Sequence, residues 1–447
     1  MSPGGDDRKR NIIKWIVLVI AVAAAIAVTG FIITLLDGGG EKRGWEPSTG
    51  SSEETEKATE TETATETETE TETETETETE PETTLEEKIL SGMTLREKVC
   101  QMFVVTPSDI TGVATVVQAG ETTRAALQRY PVGGLDFNKT NMQSQAQVRQ
   151  MMDNIKSYTN IPLILTCDEE GGRAVRLMAT VGTRWVGPML NYKDQGPEKA
   201  RENARTIAED MVSCGLNMDL APVADVWSNP ANTVIGDRAY SDDFDQAAEL
   251  IPAAVEGFHE GGVACILKHF PGHGDTSGDT HYGAVYVYKT LDQMRTQELK
   301  PFQAGIDAGA DAVMMGHLII TDIDDLPAPF SYKIVTELLR EEMGFDGVVM
   351  TDSLRMQAIT DHYGNSQVAV MCVKAGVDML LCPSDLDGAI NAIMNAVETG
   401  EISEERIDES VLRILRLKIN RGIITEEDFA DAPAETESAA EESESGQ

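Results

Sequence analysis

Residues 265–283 read CILKHFPGHGDTSGDTHYG, an apolar run that breaks into a polar loop punctuated by glycine. The apolar half has the length of a buried strand, and the stretch carries three of the chain's six histidines, His269, His273 and His281. Ligands and chemistry gather beyond the carboxyl ends of parallel strands, so this pattern points to an α/β fold. Whether the sheet is open or closed depends on how many such runs the chain holds.

Working outward, seven more runs appear: QMFVV from Gln101, GGLDF from Gly133, LILTCD from Leu163, MDLAPVADV from Met218, AVMMGH from Ala312, GVVMTD from Gly347 and DMLLCPS from Asp378. Between them lie QAQVRQMMDNIKSYT, PEKARENARTIAEDMVSCG, FDQAAELIPAAVEGFHEGG and KIVTELLREEMG, with apolar residues at three- and four-residue spacing and glycine near several ends. Eight strands alternating with helical crossovers predict a closed (β/α)₈ TIM-type barrel over residues 85–425. A doubly wound open sheet is the alternative, and no glycine-rich phosphate fingerprint follows the first strand to support it. On a barrel the chemistry collects on one rim. Five of the eight runs end in ionisable groups there: Asp168, Asp225, the histidine loop, His317 and Asp352.

The flanks have a different character. Residues 15–36, WIVLVIAVAAAIAVTGFIITLL, are uncharged and long enough to cross a bilayer core of about 30 Å. Arg8, Lys9, Arg10 and Lys14 precede them, so residues 1–14 are expected in the cytoplasm and the rest outside, as a single-pass cell-membrane protein. A cleaved export signal is the other reading. Residues 37–84, rich in a threonine–glutamate repeat, cannot bury enough apolar surface to order and are expected to be a disordered linker. Residues 426–447 form an expected acidic, disordered tail. Residues 53–82 and this tail together hold −22 of the formal −40, so the barrel is only moderately acidic, and without a basic patch nucleic acid is excluded as a partner. Cys167, Cys265 and Cys382 sit in or at the end of apolar runs, with no C-x-x-C spacing anywhere, which favours buried free thiols over disulfides.

Three readings of the histidine loop compete. His269 and His273 have H-x-x-x-H spacing, but Pro271, Gly272 and Gly274 oppose the helix that would align them for a metal, so neither metal nor cofactor is expected. His273, between two glycines, suits a role in holding the loop's shape. Asp279 and His281 flank one residue, so an extended segment points both the same way and the carboxylate can fix the imidazole tautomer for general acid/base work. Asp352, ending an apolar strand, is a candidate nucleophile. Such a pair is the minimum for retaining glycoside hydrolysis, though the usual acid/base there is a second carboxyl group, and these residues alone do not identify a sugar. Met314 and Met315 are expected to line the barrel, Trp185 and Trp227 to stack on a ligand or pack a loop, and His259 and His362 carry no assigned role.

KHFPGHG followed by D-T-H, together with DEEGGRAVRL, LAPVADVWSNPANTVIGDRAYS and VVMTDSLRM in that order, resembles family 3 glycoside hydrolases, and within them the single-barrel β-N-acetylhexosaminidases. The similarity covers about Leu85 to Ile424, including the opening LEEKILSGMTLREKVCQMFVV. It implies that Asp352 attacks the anomeric carbon and that His281, oriented by Asp279, protonates the leaving oxygen and then activates water. It also implies that Asp168, Arg176, Arg238, Lys268 and His269 grip a terminal N-acetylglucosamine. Many members carry a second α/β domain that donates a glutamate acid; here the Asp279 and His281 pair is expected in that role. Thr280 stands where serine is common, Ser353 where a second acid is frequent, and GGLDFNKTN is less apolar than the usual second strand. The implied activity is exo-β-N-acetylglucosaminidase action on cell-wall or other amino-sugar glycans. An N-acetylglucosaminide phosphorylase and a catalytically silent wall-binding barrel are the alternatives.

Overall fold

The computed structural model describes residues 83–429; the expected membrane segment, almost all of the linker and the tail beyond Phe429 lie outside the described residues. Among the described residues no helix is long and apolar enough to cross a membrane.

All eight apolar runs contain strands: β1 (Phe103–Val105), β2 (Gly134–Asp136), β3 (Ile164–Cys167), β4 (Met218–Asp219), β5 (Ala264–Phe270), β6 (Ala312–Met315), β7 (Val348–Thr351) and β8 (Leu380–Leu381). Each pairs in parallel with the next up to β7, and β8 pairs with β1. A parallel bridge between Met350 and Met379, with Thr351 N donating to Met379 O at 3.0 Å, joins β7 to the start of β8 and closes the barrel. Every strand residue is buried except Asp136, half-buried at the rim. That is why the strands read as continuous apolar runs rather than as alternating ones: helices cover the outside and side chains fill the inside.

Two details depart from the expected pattern. The fourth ladder stops at Asp219 although the apolar run continues, because Pro222 has no N–H to donate; Val223 then returns as a single bridge to Lys268. Two further short strands, Val285–Val287 and Leu318–Ile320, pair in parallel outside the barrel, in the crossovers that follow β5 and β6. All six cysteines have free thiols and are buried.

The four predicted crossover helices form at Gln145–Lys156, Pro197–Cys214, Phe244–Glu260 and Lys333–Glu342, the last with wider i to i+5 winding. Pro197 starts the second at N1, Gly215 ends it in a left-handed conformation, and Asp243 caps the third by accepting from Gln246 N. These two helices cross on small residues. A Cβ on Gly257 would stand 2.2 Å from Arg201 O and 3.0 Å from Ala204 Cβ. Helix propensity alone favours Gly257→Ala by about 1 kcal/mol. Crowding against backbone reverses the sign, and the variant is expected to lose roughly 1–3 kcal/mol in urea unfolding.

Candidate active site

At the carboxyl ends of the strands lies a cleft of about 650 Å³, and Asp168, Arg176, Arg238, Lys268, His269, Asp279, His281 and Asp352 all line it. The sequence scatters these residues over four βα units, the third, fourth, fifth and seventh; the barrel brings all eight to one cavity.

β5 supplies two consecutive residues. In a regular strand neighbours face opposite sides. Here Lys268 pairs with Met314 and Phe270 with Met315, so His269 is the extra residue of a bulge, and both Lys268 and His269 reach the cleft. The Lys268 ammonium is almost wholly buried and is shared between Asp168 Oδ1 at 2.7 Å and Glu170 Oε1 at 2.5 Å. Arg176 Nη2 donates to Asp168 Oδ2 at 2.6 Å, and Arg238 grips Glu170 with Nε at 2.7 Å and Nη2 at 2.8 Å. Burial pushes the Glu170 carboxyl up, but Arg238 and Lys268 outweigh it and hold it well below the usual carboxylate range. For Lys268, burial favours the neutral amine, while Asp168 and Glu170 win and raise it above the ordinary lysine value.

Asp225 is buried behind β5 and does not line the cleft. Its Oδ2 accepts from His269 N at 3.0 Å and meets His269 Nδ1 at 2.6 Å; its Oδ1 accepts from His273 N at 2.6 Å. His269 is thereby held at Nδ1, leaving Nε2 as its free nitrogen. His273 Nδ1 bonds Thr276 Oγ1 at 2.7 Å, and Asn232 Nδ2 donates to His273 O at 2.7 Å, so His273 both shapes the loop and borders the cleft.

The loop that follows is pinned at its base and open at its tip. A Cβ on Gly274 would stand 1.7 Å from Val226 O, so only glycine lets the chain pass the β4 loop this closely. Beyond it, Asp279 Oδ1 accepts from His281 N at 2.9 Å and meets His281 Nδ1 at 2.8 Å. The His281 side chain is 64% exposed. Ala358 N donates to Thr280 O at 3.2 Å, which ties this fifth crossover to the seventh.

Asp352 ends β7, with its backbone N donating to Met315 O at 3.0 Å and its Oδ1 accepting from Ser353 N at 2.7 Å. Burial pushes its carboxyl up, but the charges of His269 and His317, with Ser353 N and Lys268, bring it below its ordinary value. His317 lies beneath, its Nε2 bonded to Ser353 O at 2.9 Å, and burial pulls it below the usual histidine range. Met314 lines the cleft floor, and Trp227 packs its loop through Nε1 to Asn232 O at 2.9 Å.

Glu170, Arg173 and Asp136 are among the lining residues that the sequence does not single out. Glu170 was readable in DEEGG as a third acid beside two cations that needed partners. Arg173 donates to the carbonyls of Thr233, Val234 and Ile235 and so holds the segment that delivers Arg238. Asp136 ends β2, and its carboxyl has no hydrogen-bond partner among the described residues. Burial and then the charge of Asp168 push it up to about 7. Among the described residues one trio, His259, Cys265 and Asp311, has metal-ligand spacing, but it lies at the amino end of β5, and Asp311 is already paired with His259 and Arg421.

A carboxylate held ionised, an aspartate-held imidazole and a cradle of alternating charge in one open barrel cleft define the class: a barrel with the equipment of a glycoside hydrolase. The chain belongs to glycosyl hydrolase family 3, whose N terminal domain matches residues 94–417. It is 33% identical over 322 residues to beta-hexosaminidase A of Pseudoalteromonas piscicida, covering 65% of this chain and 54% of that protein. It is 36% identical over 276 residues to beta-hexosaminidase of Stenotrophomonas maltophilia strain K279a, covering 60% and 81%. A family 3 β-N-acetylglucosaminidase structure from Paenibacillus sp. str. FPU-7 matches with a TM-score of 0.70 at 35% identity, over 78% of this chain and 65% of that one. The chain thus spans about half the length of the Pseudoalteromonas relative and about two thirds of the Paenibacillus one.

The raised Asp136 carboxyl has a consequence for stability. Below about pH 4 the group is protonated folded or unfolded and costs nothing. Between there and pH 7 the unfolded chain releases the proton while the fold retains it, so stability is lost as pH rises and the full cost is present above 7. Asp136→Asn is therefore expected to raise Tm by roughly 2–4 °C at pH 8 and by much less at pH 4.5, read from thermal melts at both values.

Proposed function

We propose that the protein is a retaining exo-β-N-acetylglucosaminidase that removes terminal β-linked N-acetylhexosamine from cell-wall or other amino-sugar glycans. The observation that carries this reading is that the His281 imidazole from the fifth crossover and the Asp352 carboxylate from β7 line one cleft beside the Asp168 and Lys268 cradle. The names of the relatives, β-hexosaminidase and β-N-acetylglucosaminidase, support the same substrate class.

The chemistry follows from the electrostatics. Asp352 is held ionised, as a nucleophile attacking the anomeric carbon must be. Asp279 occupies His281 Nδ1, so Nε2 is the atom that gives a proton to the departing oxygen and afterwards takes one from water. Asp168, Arg176, Arg238 and Lys268, ion-paired with one another and with Glu170, form a rigid set suited to sugar hydroxyls, and His269 offers Nε2 as a further donor or acceptor. Binding energy gathered there positions the anomeric carbon over Asp352. Residues 15–36 would anchor the chain in the cell membrane, with residues 37–84 spacing an external catalytic barrel from the bilayer.

The test uses the full chain and aryl N-acetyl-β-glucosaminides. Hydrolysis with retained anomeric configuration in the first product, seen by NMR, is expected, and added phosphate should yield no sugar phosphate. Asp352→Ala should abolish turnover. His281→Ala should slow substrates with sugar leaving groups by roughly 10²–10⁴-fold, and nitrophenyl substrates less, because nitrophenolate departs without a proton. Inertness of the wild type on all amino-sugar glycosides would refute the reading.

A further inference from the structure

The crossover that carries His281 continues into HYGAVYVYK, and three of its side chains are conspicuously bare. Tyr282 is 79% exposed, Tyr286 48% and Tyr288 81%, while the intervening Val285 and Val287 are buried. The alternation is that of a strand with one face on the core: the valines pack inward as Val285–Val287 pairs with Leu318–Ile320, and Tyr286 and Tyr288 are left outside, with Tyr282 exposed in the turn before them. Aromatic area of this size gathered on one surface strip marks a contact site more often than chance exposure. The rings of Tyr286 and Tyr288 are within 17° of parallel at a centroid separation of 6.3 Å.

The strip has a defined position relative to the chemistry. Tyr282 directly follows His281, and the strand Leu318–Ile320 directly follows His317 at the end of β6, so the strip rises from the rim that bears the cleft. A general acid must stand beside the leaving oxygen, so the surface continuing outward from it faces the leaving group and not the terminal sugar. Neither Tyr282–Tyr288 nor the paired strand Leu318–Ile320 contains a charged side chain. Lys289, the next cation along the chain, is turned away to the carboxylates of Glu298 and Asp275.

We propose that Tyr282, Tyr286 and Tyr288 form a stacking platform for the leaving-side sugars of an uncharged oligosaccharide, binding the apolar C–H faces of pyranose rings. This rests on His281 being the acid/base of the proposed function. Tyrosine suits the task because its ring is apolar, stiff and tolerant of water at its hydroxyl edge. The platform sets a preference for extended glycans over small aglycones without touching the groups that bind the terminal residue.

The discriminating measurement is the ratio of kcat/KM for N-acetylchitotetraose to that for an aryl N-acetyl-β-glucosaminide, in the full chain and in a Tyr282→Ala, Tyr286→Ala, Tyr288→Ala triple variant. Each ring is expected to contribute roughly two- to tenfold, so the ratio should fall by about tenfold or more. The corresponding triple Phe variant should retain it, and thermal melts report whether the Ala variant is folded. An unchanged ratio in a folded Ala variant overturns the proposal. So does sedimentation in which the wild type self-associates and the Ala variant does not, with the ratio unaltered, since the strip is then an interface between copies. If the wild type hydrolyses neither substrate, the proposed function fails separately, and calorimetry with N-acetylchitotetraose decides: affinity at least fivefold weaker in the Ala variant upholds the platform, equal affinity removes it.

Discussion

The site is organised around one buried ammonium. Lys268 lies inside the barrel mouth, where an unpaired charge would cost several kcal/mol, so its position obliges acids to come to it. Asp168 and Glu170 answer from β3's loop, and each then needs a second cation, which Arg176 and Arg238 provide. One lysine thus dictates the identity and orientation of four other side chains drawn from two crossovers. The bulge that admits Lys268 also turns His269 to the cleft, where Asp225 holds it.

Two histidines beside it, more than this cluster, set the state of Asp352. Burial pushes its carboxyl up, but the neighbouring His269 and His317, with the Ser353 N–H and last Lys268, bring it below its ordinary value. Asp136 shows the opposite outcome a short way along the rim. It too is enclosed, but its first electrostatic neighbour is Asp168, whose charge adds to burial rather than opposing it. Two aspartates on one rim are therefore pushed apart in acidity, one anionic and one near neutral, by placement alone.

The barrel was legible because strands covered on both faces leave unmistakable apolar runs, and the polar residues closing those runs had to share a rim. All eight candidate residues were accessible by that logic or by motif resemblance. What stayed hidden depends on adjacency between strands distant in sequence. Nothing in CILKHF announces that the ladder slips at His269, since the slip is defined only against Met314 and Met315 on β6. Asp136 gives no signal in the sequence because its proximity to Asp168 arises from β2 lying beside β3. The end of the β4 ladder at Pro222 was readable, since a residue without an N–H cannot extend it, but the length of the apolar run masked it.

Rigidity and access are divided between the two halves of the site. The cradle and Asp352 sit on strand ends whose neighbours are buried, so they hold their geometry before any ligand arrives. His281 stands on a loop fixed at Gly274 by backbone contact and at Thr280 by the bond to Ala358, with its imidazole left open to water. In the proposed mechanism, a proton donor that must later activate water benefits from this arrangement. Asp279 restricts which nitrogen carries the exchangeable proton, while exposure lets leaving group and water take turns at the same atom. The cost is that an exposed imidazole gains little from a low-dielectric setting until substrate covers it. In that mechanism, catalytic power at the His281 end depends on the ligand excluding solvent, whereas the Asp352 end is prepared by the protein itself.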